Sequence, residues 1–511
     1  MTRFVSVLFP GDAGPPLAQA QEPECFRDLN IDQIVEAAVA GREFYDLRSL
    51  FYLQLTSVAA VEYRQEVHRD LERCAIREAI DTFAKSMQDM RDCLATASQL
   101  HYAYQKQRLF LDAVLTYADA LRCLADDLRQ RRPSSAGMRA FGDYLSGYAA
   151  SAAFTGCYEQ ARELDQSLAA VRYTLHIRGS RVRVSRFAGE PDYSEEIAAT
   201  FAGFSQGEVQ DYRTGFTIEL EMGHVEAGIL DLVARLYPDL FQSLADFCGR
   251  YRDFADGLLI RFDREIQFYL AWLDYLAPLR AAGLSFCYPQ VSADSKEVYA
   301  ADVFDLALAH KLVPEQEPVV GNDLLLSGSQ RLMVITGPNQ GGKTTFARAF
   351  GQLHYLASIG CPVPGREARL FLARNVLTHF EREEDLASLS GKLAEDLRRL
   401  HRTLRWATGT SVIILNEIFT STAVADALYL STQILDQVAR LDALCVCVTF
   451  LDELASFSPS TVSMVSMVVS GDPALRTFKI LQRPADGLAY AAAIAEKYGL
   501  SHDRVKARVA S

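Results

Sequence analysis

The chain has 511 residues, a net charge of −13, and hydrophobic and charged fractions of 49% and 23%, the balance of an ordinary soluble protein of two to four domains. No apolar run approaches the ~20 residues that a membrane helix needs. The stretch Met1–Pro16 is interrupted by proline and glycine too early for a secretory signal. The acidic balance argues against a broadly basic nucleic-acid surface while leaving room for a local one. Ten cysteines without a C-x-x-C pair read as a reduced, cytoplasmic protein without a zinc site.

Residues 1–28 are rich in Pro, Gly and Gln and read as an irregular leader. From Leu29 to about Ala170 the apolar residues recur at helical steps, with a break at Arg131-Arg132-Pro133-Ser134-Ser135. Residues 171–187 instead alternate apolar and polar about Gly179-Ser180, the pattern of a hairpin. Its polar positions include Arg178, Arg181, Arg183 and Arg186, candidates for contact with DNA phosphates, against the plainer reading of a solvated strand face. Beyond Pro238 the apolar steps predict one helix over 239–277, roughly 58 Å long at 1.5 Å per residue, with Pro278 ending or kinking it. Residues 29–285 thus read as a helical arm region. From 286 to 511 short apolar strands alternate with helices, as in an α/β domain. The expected fold is α followed by α/β.

The most specific motif is Gly337-Pro338-Asn339-Gln340-Gly341-Gly342-Lys343-Thr344-Thr345. It follows the apolar run Leu332–Ile335 and leads into a helix, as a phosphate-binding G-x-x-x-x-G-K-[ST] loop requires. Glycines let successive N–H groups turn toward a phosphate, and the helix N-terminus adds a positive dipole end. Lys343 is placed for the β/γ-phosphates and Thr344 for Mg²⁺. Seventy-three residues after Lys343, the apolar strand Ser411–Leu415 runs into Asn416-Glu417. Asn416 stands where a metal-binding aspartate is usual and brings no charge. Glu417 is placed to polarise the attacking water.

These segments, with Ala357–Pro364, Glu384–Ser388, Asp426, Val448-Thr449, Glu453-Leu454 and the Lys479…Ala485-Asp486-Gly487…Tyr490 tail, make residues 317–510 resemble the ATPase domain of the MutS mismatch-repair family, an ABC-type ATPase. Residues 29–285 resemble that family's core, lever and clamp region more faintly, with the clamp confined to 171–237. The resemblance implies ATP and Mg²⁺ as cofactors and a head-to-tail homodimer. A signature helix at Ser390-Gly391 would face the ATP in trans, and Ser421, Thr422 and Asp426 would lie at the subunit contact. It also implies double-stranded or branched DNA and repair-type proteins as partners. Three positions depart from the family: Asn416 replaces an acid, Phe450 a histidine, and Val319 a base-stacking aromatic. No mismatch-recognition domain or wedge is expected. The reading is a slow DNA-associated ATPase. An ATP-switched protein scaffold that does not bind nucleic acid and a pseudo-ATPase are the alternatives.

Overall fold

The computed structural model describes residues 4–11, 21–190, 222–381, 391–469 and 472–485. In chain order, the helices of the first half are α1 (Cys25–Leu29), α2 (Ile31–Val39), α3 (Arg48–Phe51), α4 (Val58–Leu71), α5 (Cys74–Gln99), α6 (Ala103–Arg131), α7 (Ala136–Ala149) and α8 (Ala152–Ala169). The hairpin β1 (Tyr173–Arg178) and β2 (Arg181–Arg186) follows, then α9 (His224–Leu236), α10 (Pro238–Arg250) and α11 (Gly257–Ala281). The second half holds β3 (Phe286–Cys287), β4 (Gln290–Ser292), β5 (Val298–Val303), α12 (Leu306–Leu312), β6 (Asn322–Leu326), β7 (Leu332–Thr336) and α13 (Lys343–Ser358). It closes with β8 (Val363–Pro364), β9 (Glu367–Phe371), β10 (Asn375–Phe380), α14 (Lys392–Trp406), β11 (Ser411–Asn416), α15 (Val424–Arg440), β12 (Leu444–Val448), β13 (Thr461–Val469) and β14 (Asp472–Gln482). Helices and sheet are mixed, an α+β chain. Among the described residues no helix is long and apolar enough to cross a membrane.

Two compact units result, and they do not follow chain order. One comprises 74–133 and 140–263, the other 2–73, 134–139 and 264–511. The first is helical. Leu111, Val114 and Leu115 of α6 meet Ala161 and Leu164 of α8 and Leu244 and Phe247 of α10 in one buried cluster. A second cluster, Val233 and Ala234 of α9 with Phe241 of α10, takes Val184 of the hairpin against it.

The single helix expected over 239–277 is instead two. α10 stops at Arg250 and α11 starts at Gly257. The apolar steps continue across the break because Phe254 is used there as a loop residue, its ring edge-on to Phe110 at 5.6 Å and Tyr117 at 5.2 Å. Asp256 restarts the helix: its Oδ1 accepts from the Leu258 and Leu259 N–H groups at 2.9 and 3.1 Å, and from the Tyr144 hydroxyl at 2.9 Å. That is an N-cap, and it competes with continuing the helix. Pro278 lies inside α11, which runs three residues further to Ala281.

In the other unit a six-stranded sheet has the order β10-β11-β12-β7-β13-β14, parallel except for β14. All five residues of β7, all six of β11 and all five of β12 are buried. Both faces of a parallel sheet are covered, so its strands read as continuous apolar runs. On one side Leu435 and Val438 of α15 and Leu400 of α14 close over Ile413, Leu415, Cys445 and Cys447. A smaller sheet, β4-β9-β5-β6, flanks it.

The first residues lack regular structure yet are built into this unit. Val7 and Leu8 are fully buried. Glu265 of α11 accepts from Ser6 Oγ at 2.8 Å and Val7 N at 2.9 Å, and the Tyr269 hydroxyl donates to Val7 O at 2.6 Å. α1 is anchored likewise: Gln352 of α13 donates to Leu29 O at 2.8 Å, and Thr378 of β10 donates to Asp28 Oδ2 at 2.6 Å.

Candidate nucleotide site

The loop between β7 and α13 leaves the carboxyl end of a central strand, where open parallel sheets place their ligands. Gly337 and Gly342 have φ of 113° and 86°, values that favour glycine. Close approach gives a second reason. A Cβ on Gly341 would stand 2.1 Å from Ser466 Oγ, and one on Gly337 would stand 3.1 Å from three atoms of Ser466. Ser466, buried on β13, donates to Gly341 O at 2.7 Å. Arg476 of β14 donates to Asn339 O at 3.1 Å. Gln340 carries the loop's only positive φ on a residue with a side chain, 58°.

Lys343 opens α13. Its Nζ donates to Gly337 O and Pro338 O, both at 3.0 Å, so the ammonium closes its own loop into a ring. Burial pushes its pKa down, and Glu417 opposes that. The Thr344 hydroxyl donates to Asn416 Oδ1 at 3.0 Å, joining the end of β11 to the start of α13.

Glu417 follows β11 with φ of 54°. A left-handed glutamate persists only where its surroundings over-determine it. Here its N–H donates to Val448 O at 2.9 Å. Burial raises the Glu417 pKa, Lys343 pulls it down, and Glu381 raises it again. Glu381 itself accepts from Lys392 Nζ at 2.5 Å and Thr420 Oγ1 at 2.7 Å. At the end of β12, Thr449 is buried, while Phe450 is 49% exposed and lays its ring 4.6 Å from Lys343 Nζ.

Lys343, Thr344, Thr345, Glu417 and Phe450 border one cavity of about 810 Å³, which extends past Val319 and Phe478. Asn416 joins this group through Thr344 rather than by lining the cavity. The set offers an ammonium, a run of backbone N–H groups at a helix start, a hydroxyl–amide pair and a half-buried carboxylate. That chemistry is of a kind that could hold a phosphate ester with a divalent cation, for which the Thr344 and Asn416 oxygens would be available.

Ser390 lies outside the described residues. Gly391 is exposed and immediately precedes α14. On the hairpin, register pairs Arg178 with Arg181 and His176 with Arg183, so these four share one face. Arg186 pairs with Tyr173 on the opposite face, and its guanidinium donates to Leu236 O at 3.1 Å over the Tyr237 ring. The structure therefore divides the predicted arginine group into three and one. Sequence reasoning did not single out Ser466, Arg476, Phe478 or Glu381. The first three are brought to the loop by β13 and β14, over 100 residues away, and no local pattern announces them.

A mixed α+β chain with a parallel sheet and a charged cavity at its strand ends is the class that fold and site define. Residues 333–507 match the family model of MutS domain V, the ATPase domain of that family. Over that stretch the chain is similar to MutS proteins. It is 30% identical over 211 residues to the DNA mismatch repair protein MutS of Synechococcus sp. (strain CC9902), covering 39% of this chain and 23% of that one. The MutS of Chlorobium limicola is 28% identical over 195 residues, 37% of this chain and 22% of its own. That of Chlorobium phaeovibrioides is 25% identical over 277 residues, 53% and 31%. The matched stretch thus spans less than a third of each relative's length.

Proposed function

We propose that this chain binds MgATP in the 810 Å³ cavity and hydrolyses it slowly. The observation that carries this reading is the meeting of Lys343, Thr344–Asn416 and Glu417 from three separate elements around one cavity. The loop N–H groups and the α13 N-terminus bind the phosphates. Lys343, already tethered to Gly337 O and Pro338 O, keeps one proton for the β/γ-phosphate oxygens. Thr344 and Asn416 would hold the metal, which would supply positive charge against the phosphates. Glu417, its pKa raised by burial, accepts the proton of the attacking water. Phe450 shields Lys343 and moves aside for the terminal phosphate. Without charge on Asn416 the metal is held weakly, which suits a switch that keeps ATP longer than it turns it over.

The family match supports a further step: an ATP-gated homodimer acting on DNA, cytoplasmic, with Ser390-Gly391 of one subunit meeting the nucleotide of the other and repair-type proteins as partners. Arg178, Arg181 and Arg183 are the phosphate contacts. Steady-state phosphate release tests the first step. Turnover in the wild type that falls to background in Glu417→Gln is expected, and equal rates would remove Glu417 from the mechanism. Fluorescence anisotropy with duplex and branched DNA at 50 mM salt tests the second, and absence of binding there would end the DNA reading. A second reading, an ATP-switched scaffold that does not bind nucleic acid, is favoured by the net charge of −13. A nucleotide-dependent, nuclease-insensitive partner is its mark.

A further inference from the structure

The helical unit holds a second cavity, of about 390 Å³, formed where α6, α7 and α8 meet the connector between α10 and α11. That volume falls among those of small-molecule sites. Its wall is aromatic: Tyr117, Tyr148, Phe154, Tyr158, Tyr251 and Phe254 line it. Two carboxylates, Asp253 and Asp256, line it with them. Among the described residues no lysine, arginine or histidine does. Cys157 adds a thiol whose pKa burial pushes up to about 11, so it brings no charge.

The rings are held by their own hydroxyls and by one another. Tyr117 Oη accepts from Asp256 N at 2.9 Å, Tyr158 Oη donates to Asp119 Oδ1 at 2.9 Å, and Tyr251 Oη donates to Gln160 Oε1 at 3.3 Å. Phe254 stands edge-on to Tyr117, and Phe154 tilts against Tyr148, each pair with centroids 5.2 Å apart. With these hydroxyls bonded, what the tyrosines have left to offer is π-surface. The Tyr158 ring already draws cations within the molecule. The Arg122 and Arg162 guanidinium carbons lie 4.5 and 5.3 Å from its centroid, and neither arginine lines the cavity. Asp256 Oδ1 is engaged by the start of α11 and the Tyr144 hydroxyl. Asp253 is exposed and has no hydrogen bond or ion pair among the described residues.

This lining discriminates among ligand classes. An anion would meet two carboxylates and no countercharge. A neutral apolar molecule would gain nothing from the carboxylates. A divalent metal ion needs more oxygen ligands than two carboxylates supply, and among the described residues no group of three or more metal-ligating side chains occurs. A weakly hydrated organic cation matches both halves of the wall. Ring faces attract it, more strongly where water is excluded, and the carboxylates balance its charge. We propose that this cavity binds a small alkylated ammonium ion, of the trimethylammonium kind, with Asp253 as its countercharge. Every lining residue belongs to the helical unit, so the proposal does not rest on the nucleotide reading.

Calorimetric titration of the full chain with choline tests it, beside the carbon isostere in which a tert-butyl group replaces the trimethylammonium. Choline is expected to bind saturably, and the isostere on the order of 10-fold more weakly. Tyr148→Leu should weaken choline on the order of 10-fold, and Tyr148→Phe, which keeps the ring face, should leave it unchanged. Asp253→Asn should weaken choline a few-fold and leave the isostere as it was. Asp253 is exposed, so that variant keeps the fold even where Tyr148→Leu does not. Absence of saturable choline binding would overturn the proposal. Equal binding of the two probes would overturn it too, leaving the cavity merely apolar. Choline binding that ignores both Asp253→Asn and Tyr148→Leu would place the site elsewhere and end the proposal.

Discussion

The phosphate loop, between a strand and a helix, and the turn of the arginine hairpin, between two strands, are both short connections, but they are held in opposite ways. The loop is gripped from several directions: Lys343 closes it on itself, Ser466 presses Gly341, and Arg476 holds Asn339. Its strand is buried throughout. The hairpin has two strands of six residues whose positions are mostly exposed, anchored through Val184 and Arg186. In the first region function requires geometry, and single substitutions should act steeply. In the second, any function rests on summed charge, and single substitutions should act weakly.

The sharpest test of that contrast is Glu417→Gln. It preserves shape and removes the base, so ATP turnover should fall on the order of 10²–10⁴-fold while affinity for the non-hydrolysable ATP analogue AMP-PNP holds. Steady-state phosphate release and calorimetry read the two quantities. A loss below 10-fold would mean that the loop region is no more demanding than the hairpin.

On the hairpin the comparison predicts additivity within a face. Changing Arg178, Arg181 and Arg183 together to Glu should lower affinity for duplex DNA on the order of 10²-fold at low salt and flatten the log–log salt dependence by about 0.9 per lost phosphate contact. Arg186→Glu should change the slope little, because Arg186 faces the other way and is spent on Leu236 O. Anisotropy over a salt series distinguishes the two. A triple variant that binds like the wild type would remove this face from any DNA contact.

These two regions also differ in how far they could be read in advance. The loop was legible because a phosphate site makes local demands: glycine where φ is positive, lysine and threonine at the helix start, apolar residues in a strand buried on both faces. Glu417 was legible from the strand that precedes it, though its left-handed φ was not. The division of the arginines was latent in the sequence. A two-residue turn pairs 178 with 181, and strand alternation then sends 186 to the opposite face. The break at 251–256 was hidden because Tyr251, Phe254 and Leu258 keep helical spacing while the backbone does not. Ser466 and Phe478 were illegible for another reason. Their meaning comes from strand pairing, which has no local signature.

The smallest expected effect is at Asn416. Asn416→Asp preserves an acceptor for the Thr344 hydroxyl, now 3.0 Å from the amide oxygen, and adds a negative charge at a buried position. Mg²⁺ affinity in the presence of nucleotide should rise on the order of 10-fold, since charge count tunes such sites. A calorimetric Mg²⁺ titration measures it. The neighbouring base pays in the other direction. Glu417 already titrates above the ordinary glutamate range through burial, with Lys343 lowering it and Glu381 raising it. A second carboxylate beside it favours the protonated form further. A base must be deprotonated to act, so activity is lost as pH falls through its pKa. A higher pKa moves that acid limb upward. The wild-type limb should lie above the range of an exposed glutamate, and in Asn416→Asp it should lie higher still unless bound Mg²⁺ absorbs the added charge. Comparing pH–rate profiles at low and saturating Mg²⁺ separates these effects. An acid limb that ignores both the substitution and the metal would mean that the charge at 416 does not reach Glu417.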